Sequence, residues 1–200
     1  MILRLSAGPF GDALPQIRTF FRAVLAIIAV VYLGCFGYVT TRRTLYQISA
    51  RQSFDANPQA TRSSPAVPRL LGRITVPRLE LSAMVNEGVD ENTLALAIGH
   101  IPGTALPGSS GNVGVAAHRD TFFRPLKDLR ADDEVDFTTD QGEFRYRVTS
   151  LRIVDPDDVA VLQPTKEPEL TMVTCYPFEF FGHAPKRFVV QARRIGPRSL

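Results

Sequence analysis

Few side chains in this sequence can serve as nucleophile or base near neutral pH: two cysteines, Cys35 and Cys175, and three histidines, His100, His118 and His183. Cys35 lies inside an uncharged apolar run, whereas Cys175 closes the strand-like "ELTMVTC" and opens onto "YPF". Catalytic groups gather at such junctions, because a rigid element holds the group while a loop gives access. A thiol nucleophile there needs a partner that supports the thiolate, usually an imidazole, and a cationic or donor-rich group for an oxyanion. His118 closes "NVGVAAH", so it too is predicted at a strand-to-loop junction. Arg187 stands twelve residues beyond Cys175, near the start of "KRFVVQARRI", where a returning strand can bring its guanidinium back to the sulfur. His183 falls in the loop between them and His100 in a turn-rich segment. The plain alternative is that Cys175 packs as a small hydrophobe, as most single cysteines do.

Other chemistries fit less well. No Cys-x-x-Cys or His-x-x-x-His pair exists to seed a zinc site. A disulfide between Cys35 and Cys175 would have to join an apolar segment to a polar domain across a flexible linker. Lys+Arg 23 against Asp+Glu 20 is a near balance spread along the chain, without the clustered cations that nucleic-acid phosphates require. A papain-like arrangement places its cysteine before its histidine, the reverse of the order here.

These groups must be positioned by a β-rich domain. Short apolar runs separated by turn residues, "RITVPRLELSAMV", "GNVGVAAH", "DEVDFTT", "GEFRYRVTSLRIV", "ELTMVTC" and "KRFVVQARRI", predict at least six or seven strands, with Asp140-Gln141-Gly142 turning a hairpin. A helix is predicted in "ENTLALAIG" and a helical turn in "TFFRPLKDL", while "GHIPGTALPGSSGN" reads as a long surface connection. Closely spaced strands with few helices favour an all-β barrel or sandwich.

Upstream of this domain the chain changes character. Residues 23–41 carry no charge, and at ~1.5 Å per helical residue they nearly span a hydrocarbon core of ~30 Å. They predict a transmembrane anchor, since "TTRRTLYQ" follows in place of a small-residue cleavage site. Flanking arginines on the two sides roughly balance, so charge does not orient the helix. Residues 42–70, and Arg51 to Leu70 above all, read as a linker, rich in Ser, Pro and Ala without an apolar period. The folded domain is expected over 71–200.

Three of the motifs resemble those of one family. "TMVTC" resembles the Thr-Leu-x-Thr-Cys signature of sortases, with Met172 in the leucine position; "ALPGSSGNVGVAAHRD" resembles the segment that leads to the sortase histidine; "APKRFVV" resembles the strand that carries the sortase arginine. The "CYPF" continuation is most similar to class D. The resemblance covers about Leu71 to Ile195 and implies a closed eight-stranded sortase-type β-barrel, with Cys175, His118 and Arg187 as catalytic triad and Thr174, Ala117 and His183 as substrate-side residues, His183 otherwise being a plain loop residue. It further implies a transpeptidase that cleaves an LPXTG-like sorting signal between Thr and Gly through a thioacyl enzyme. The acyl group would pass to an amine of a cell-wall peptide precursor or a pilin lysine. Secreted substrates then place residues 1–22 in the cytoplasm and the barrel outside a bacterial cytoplasmic membrane. No cofactor is expected. Asp155, Asp157 and Asp158 read as a cap for a short helix, with the calcium site that some sortases carry as the second reading. The non-enzyme alternative is a membrane-tethered β module in which Cys175 is structural.

Overall fold

Alternation of apolar and polar residues with a period of two lets each strand of a closed sheet bury one face and leave the other outside. The computed structural model describes residues 13–57, 69–180 and 182–196. After the helix α1 (Ala13–Ala56) come β1 (Leu70–Val76), β2 (Leu81–Glu87), the short helix α2 (Glu91–Leu96), β3 (Ile98–His100), β4 (Asn112–Ala116), β5 (Glu134–Thr139), β6 (Gly142–Val154), β7 (Glu169–Tyr176) and β8 (Lys186–Ile195). The eight strands close into a barrel in the order β1-β2-β3-β4-β7-β8-β6-β5. Closure is made by β1 pairing antiparallel with β5, whereas β2–β3 and β4–β7 are parallel.

The chain divides into two units, Met1–Arg42 and Arg43–Leu200. In the first, α1 exposes Phe20, Leu25, Ile28, Leu33 and Phe36 around its circumference. Such an all-round apolar surface suits lipid rather than water. It is the one helix among the described residues that is long and apolar enough to cross a membrane.

The second unit begins with the last turns of α1, and here the expected linker takes a different form. Helix continues through residues 43–56, and Ala50 and Phe54 bury against Leu70 of β1 and Met84 of β2, with Tyr46 alongside. Polar contacts reinforce the seat. Tyr46 Oη donates to Asn86 Oδ1 (2.9 Å), Gln47 Nε2 to the Leu96 carbonyl (2.7 Å) and Arg43 Nε to the Ala95 carbonyl (3.0 Å). Burial pushes the Tyr46 phenol above its usual range, with the Asn86 hydrogen bond acting the other way. Residues 58–68 of the expected linker lie outside the described ones.

The interior of the barrel is filled from every strand, with Ile74, Val85, Ile98, Val113, Val115, Phe137, Tyr146, Leu170, Met172 and Val190 fully buried. Met172, in the position where the motif has leucine, is a core side chain. Helix α2 forms where "ENTLALAIG" predicts it, capped by Asp90, whose carboxylate accepts from the Asn92 and Thr93 amides. The Thr93 hydrogen bonds hold that carboxyl below its ordinary range. One strand escapes the sequence reading. β3 takes Ile98 and Gly99 from the end of the predicted helix, which stops at Leu96, and reaches His100 in the segment read as a surface connection, where this histidine is 2% exposed. His100 Nδ1 sits 3.0 Å from a Glu87 carboxylate oxygen, and Nε2 is 2.9 Å from the Ala105 carbonyl and 3.1 Å from Thr104 Oγ1, so this histidine organises the loop after β3.

Candidate active site

Pairing brings the proposed trio to one level of the barrel. β7 and β8 run antiparallel with Cys175 opposite Arg187, and directly opposed residues hold their Cβ atoms ~4.5–5.5 Å apart on one face. β4 and β7 run parallel with Ala116 beside Val173. The ladder continues one step past the end of β4, where the Ala117 amide donates to the Val173 carbonyl (3.3 Å). His118 therefore arrives level with Cys175 on the neighbouring segment, though two residues beyond the strand that was expected to end on it.

Alternation assigns the faces. Leu170, Met172 and Thr174 of β7 point inward with Val190 and Ala192 of β8, so Thr171, Val173, Cys175 and Arg187 face away from the barrel interior, Thr171 being covered there. The thiol, the imidazole and the guanidinium are each half-buried, a state that shields them partly while leaving access. Both cysteines are free. The Arg187 Nη1 donates to the Ala184 (3.2 Å) and Lys186 (3.1 Å) carbonyls, leaving the rest of its fork for another acceptor.

Two of the substrate-side candidates sit otherwise than expected. Thr174 is 3% exposed and its hydroxyl donates to the Ala117 carbonyl (2.7 Å), and the Ala117 methyl belongs to the core. Their side chains lie on the inner face, opposite to Cys175, and they fasten the histidine-bearing segment to β7. His183 is exposed in the β7–β8 connection.

A wall rises along the outer face of β4 and β7. The connection from β6 to β7 carries a 3-10 turn, Val159–Leu162, tied down by Asn112 Nδ2 donating to the Val161 carbonyl (3.0 Å) and by Thr171 Oγ1 donating to Asn112 Oδ1 (2.7 Å). Gly114 allows this approach, because a Cβ there would stand 2.9 Å from Thr104 Cγ2 and 3.1 Å from Leu162 Cδ2. Ala116 and Val173, half-buried, form a floor leading to Cys175. Asp158 opens the 3-10 turn without a capping hydrogen bond from its side chain, and Asp155 pairs with Lys186 (2.6 Å), so the expected cap is not made. Among the described residues no three His, Cys, Asp or Glu side chains are grouped to hold a metal ion. Two clefts of about 250 and 400 Å³ lie elsewhere, one beside Arg43, Arg51 and Met84 and the other beside Glu143, Arg145 and Arg194.

Sequence reasoning passes over Arg119, although it adjoins His118. Its guanidinium donates to three carbonyls of the β7–β8 connection: Pro177 (3.0 Å), Phe180 (2.7 Å) and Gly182 (3.0 Å).

A barrel of this topology with a thiol, an imidazole and an arginine on adjoining strands defines a class, and residues 74–195 match the model of the sortase domain. The chain belongs to the sortase family and is similar to its class D. Sortase D of Bacillus subtilis (strain 168) is 32% identical over 147 residues, covering 72% of this chain and 74% of that one. Sortase A of Bacillus anthracis is 24% identical over 135 residues, 66% of this chain and 62% of its own length. Among solved structures, a Clostridium perfringens Sortase D5 transpeptidase superposes with a TM-score of 0.65 at 24% identity, covering 78% of this chain and 99% of that one. The eight-stranded sortase barrel implied by the motifs is thus the fold observed.

Proposed function

We propose that this sortase is a membrane-anchored cysteine transpeptidase that cleaves an LPXTG-like sorting signal between Thr and Gly. The cross-strand opposition of Cys175 and Arg187, with His118 level on the adjoining segment, carries this reading. The Cys175 thiolate attacks the Thr carbonyl carbon, forming a C–S bond and an oxyanion. Arg187, permanently charged and with donors to spare, hydrogen-bonds that oxyanion or the adjacent substrate backbone. As the oxyanion collapses the C–N bond breaks, and His118 gives its proton to the departing Gly amine. An acceptor amine then attacks the thioester, His118 takes the amine proton, and the sulfur leaves as thiolate.

The track over Ala116 and Val173, beneath the 3-10 turn, suits an extended apolar peptide running toward Cys175. A sortase C of Clostridium perfringens has been solved with its C-terminal cell wall sorting motif, at a TM-score of 0.59 and 24% identity over 64% of this chain and 71% of that one, which supports the choice of substrate class. Residues 1–22 are assigned to the cytoplasm and the barrel to the extracytoplasmic side, where secreted substrates arrive. The acceptor is an amine of a cell-wall peptide precursor or of a pilin lysine, and the chemistry needs no cofactor.

Cleavage of a fluorogenic LPXTG-type peptide tests the assignment. Cys175→Ala is expected to abolish it with an unchanged melting temperature. His118→Ala loses on the order of 10²–10⁴ in kcat, and Arg187→Ala on the order of 10²–10³. Undiminished cleavage by Cys175→Ala, or a Cys175 inert to thiol reagents in the folded protein, would instead support a tethered binding module.

A further inference from the structure

The catalytic reading leaves Arg119 without a task, yet it is engaged as few exposed arginines are. Its guanidinium donates from Nη1 to the Pro177 carbonyl and from Nη2 to those of Phe180 and Gly182, and it sits 5.8 Å from the Phe180 ring centroid. A planar fork with fixed donors matches three carbonyls of one turn as a flexible ammonium cannot. Gly182 holds φ 89°, a conformation that presents its carbonyl at no steric cost to glycine. On the other side, the His118 carbonyl accepts from the amides of Thr121 and Phe123 (both 3.3 Å), so Arg119 projects from a turn that is itself hydrogen-bonded.

The connection between β7 and β8 is thereby shared between two arginines. Arg119 takes carbonyls in its first part, Pro177 to Gly182, and Arg187 takes those of Ala184 and Lys186. Of the three carbonyls that of Pro177 is half-buried and needs a protein partner, whereas those of Phe180 and Gly182 are exposed and are held in place by Arg119 rather than satisfied by it alone. Without Arg119 its hold of the Pro177–Gly182 stretch on the His118 turn is lost, and Arg187 is left as the guanidinium that engages this connection.

We propose that Arg119 is a positioning residue that clamps the Cys175-to-Arg187 connection to the His118 turn, which keeps imidazole and thiol in fixed relation and leaves Arg187 free to serve substrate. The kinetic part of this proposal rests on the transpeptidase reading, whereas the clamp itself is a property of the fold.

The experiment compares full-length protein in detergent with Arg119→Ala and Arg119→Lys. Hydrogen–deuterium exchange reads the clamp directly, independent of any substrate: amides of residues 178–180 and 182–184 are expected to exchange about tenfold faster in both variants, with β1 and β5 unchanged. Peptide cleavage reads the consequence. In both variants kcat falls on the order of 10- to 100-fold while KM changes less than about twofold and the limbs of the pH–rate profile stay in place. Exchange in residues 178–180 and 182–184 that matches wild type overturns the proposal. So does a lysine variant with full kcat, or a profile displaced in the alanine variant and restored in the lysine one, since either would mean that Arg119 acts by charge alone. A wild type that fails to cleave while the loop loosens on substitution counts against the transpeptidase reading and leaves the clamp standing.

Discussion

At the scale of single residues, the barrel separates side chains that pack inside from side chains that face outward by nothing more than the parity of their positions. Thr174 and Cys175 are adjacent in sequence, yet one is sealed inside and spends its hydroxyl on Ala117 while the other faces outward beside Arg187. Tyr146 shows the opposite economy. Its ring is fully buried, its hydroxyl has no hydrogen-bond partner among the described residues, and burial pushes the phenol above its ordinary range. An unsatisfied buried hydroxyl costs about 1–3 kcal/mol, so Tyr146→Phe is expected to leave stability unchanged or raise it by up to ~1 kcal/mol. Urea unfolding checks this, and a loss above that size would reveal a partner for the hydroxyl. The candidate trio stood out in the sequence because each member follows or opens an apolar run at a loop. The same sequence hid Arg119, because an arginine beside a histidine looks the same whether it is solvated or holds three carbonyls.

At the scale of elements, most strands, α2 and the 3-10 turn Arg124–Asp128 inside "TFFRPLKDL" were readable from period and punctuation, and the exceptions have physical causes. β3 is three residues long, too short to show alternation, and its histidine looks polar although Glu87, Thr104 and the Ala105 carbonyl satisfy it in the interior. The extension of α1 past Arg43 was hidden because its apolar contacts, Ala50 and Phe54, are only two, set among polar residues that bond to β2 and the end of α2. Phe54→Ala removes the larger of them, and a loss of about 2–4 kcal/mol is expected from the methylenes and the cavity left over Leu70 and Met84. Denaturant unfolding of the variant measures it. The turn before β5 carries a second tie, where Arg78 Nε and Nη2 hold the Asp133 carboxylate at 2.6 and 2.5 Å. The Arg78 hydrogen bond holds that carboxyl below its ordinary range. A depressed carboxyl contributes stability that is complete above the unfolded pKa of about 4 and fades as pH falls through the folded value. Melting temperature should therefore decline below pH ~4, and less steeply in Asp133→Asn, which a series of thermal melts in acid buffers will show.

At the scale of the whole molecule, every candidate catalytic residue belongs to the unit Arg43–Leu200. Under the proposed function, a fragment comprising that unit is expected to cleave a soluble peptide with a kcat within about twofold of full-length protein, because it holds every residue proposed to do chemistry. A large loss in kcat would show that residues before Arg43 take part. The closed barrel was implied by family motifs rather than by period, since alternation alone suits a sandwich equally well. What only coordinates supply is the order of strands, above all the parallel contact of β4 with β7. That contact joins segments 57 residues apart, as the Thr174–Ala117 hydrogen bond measures. Joining them requires closing a long loop before any reward arrives. A partly folded chain thus carries the sulfur of Cys175 and the imidazole of His118 as strangers, and the candidate site comes into being only when the barrel's last seams are sewn.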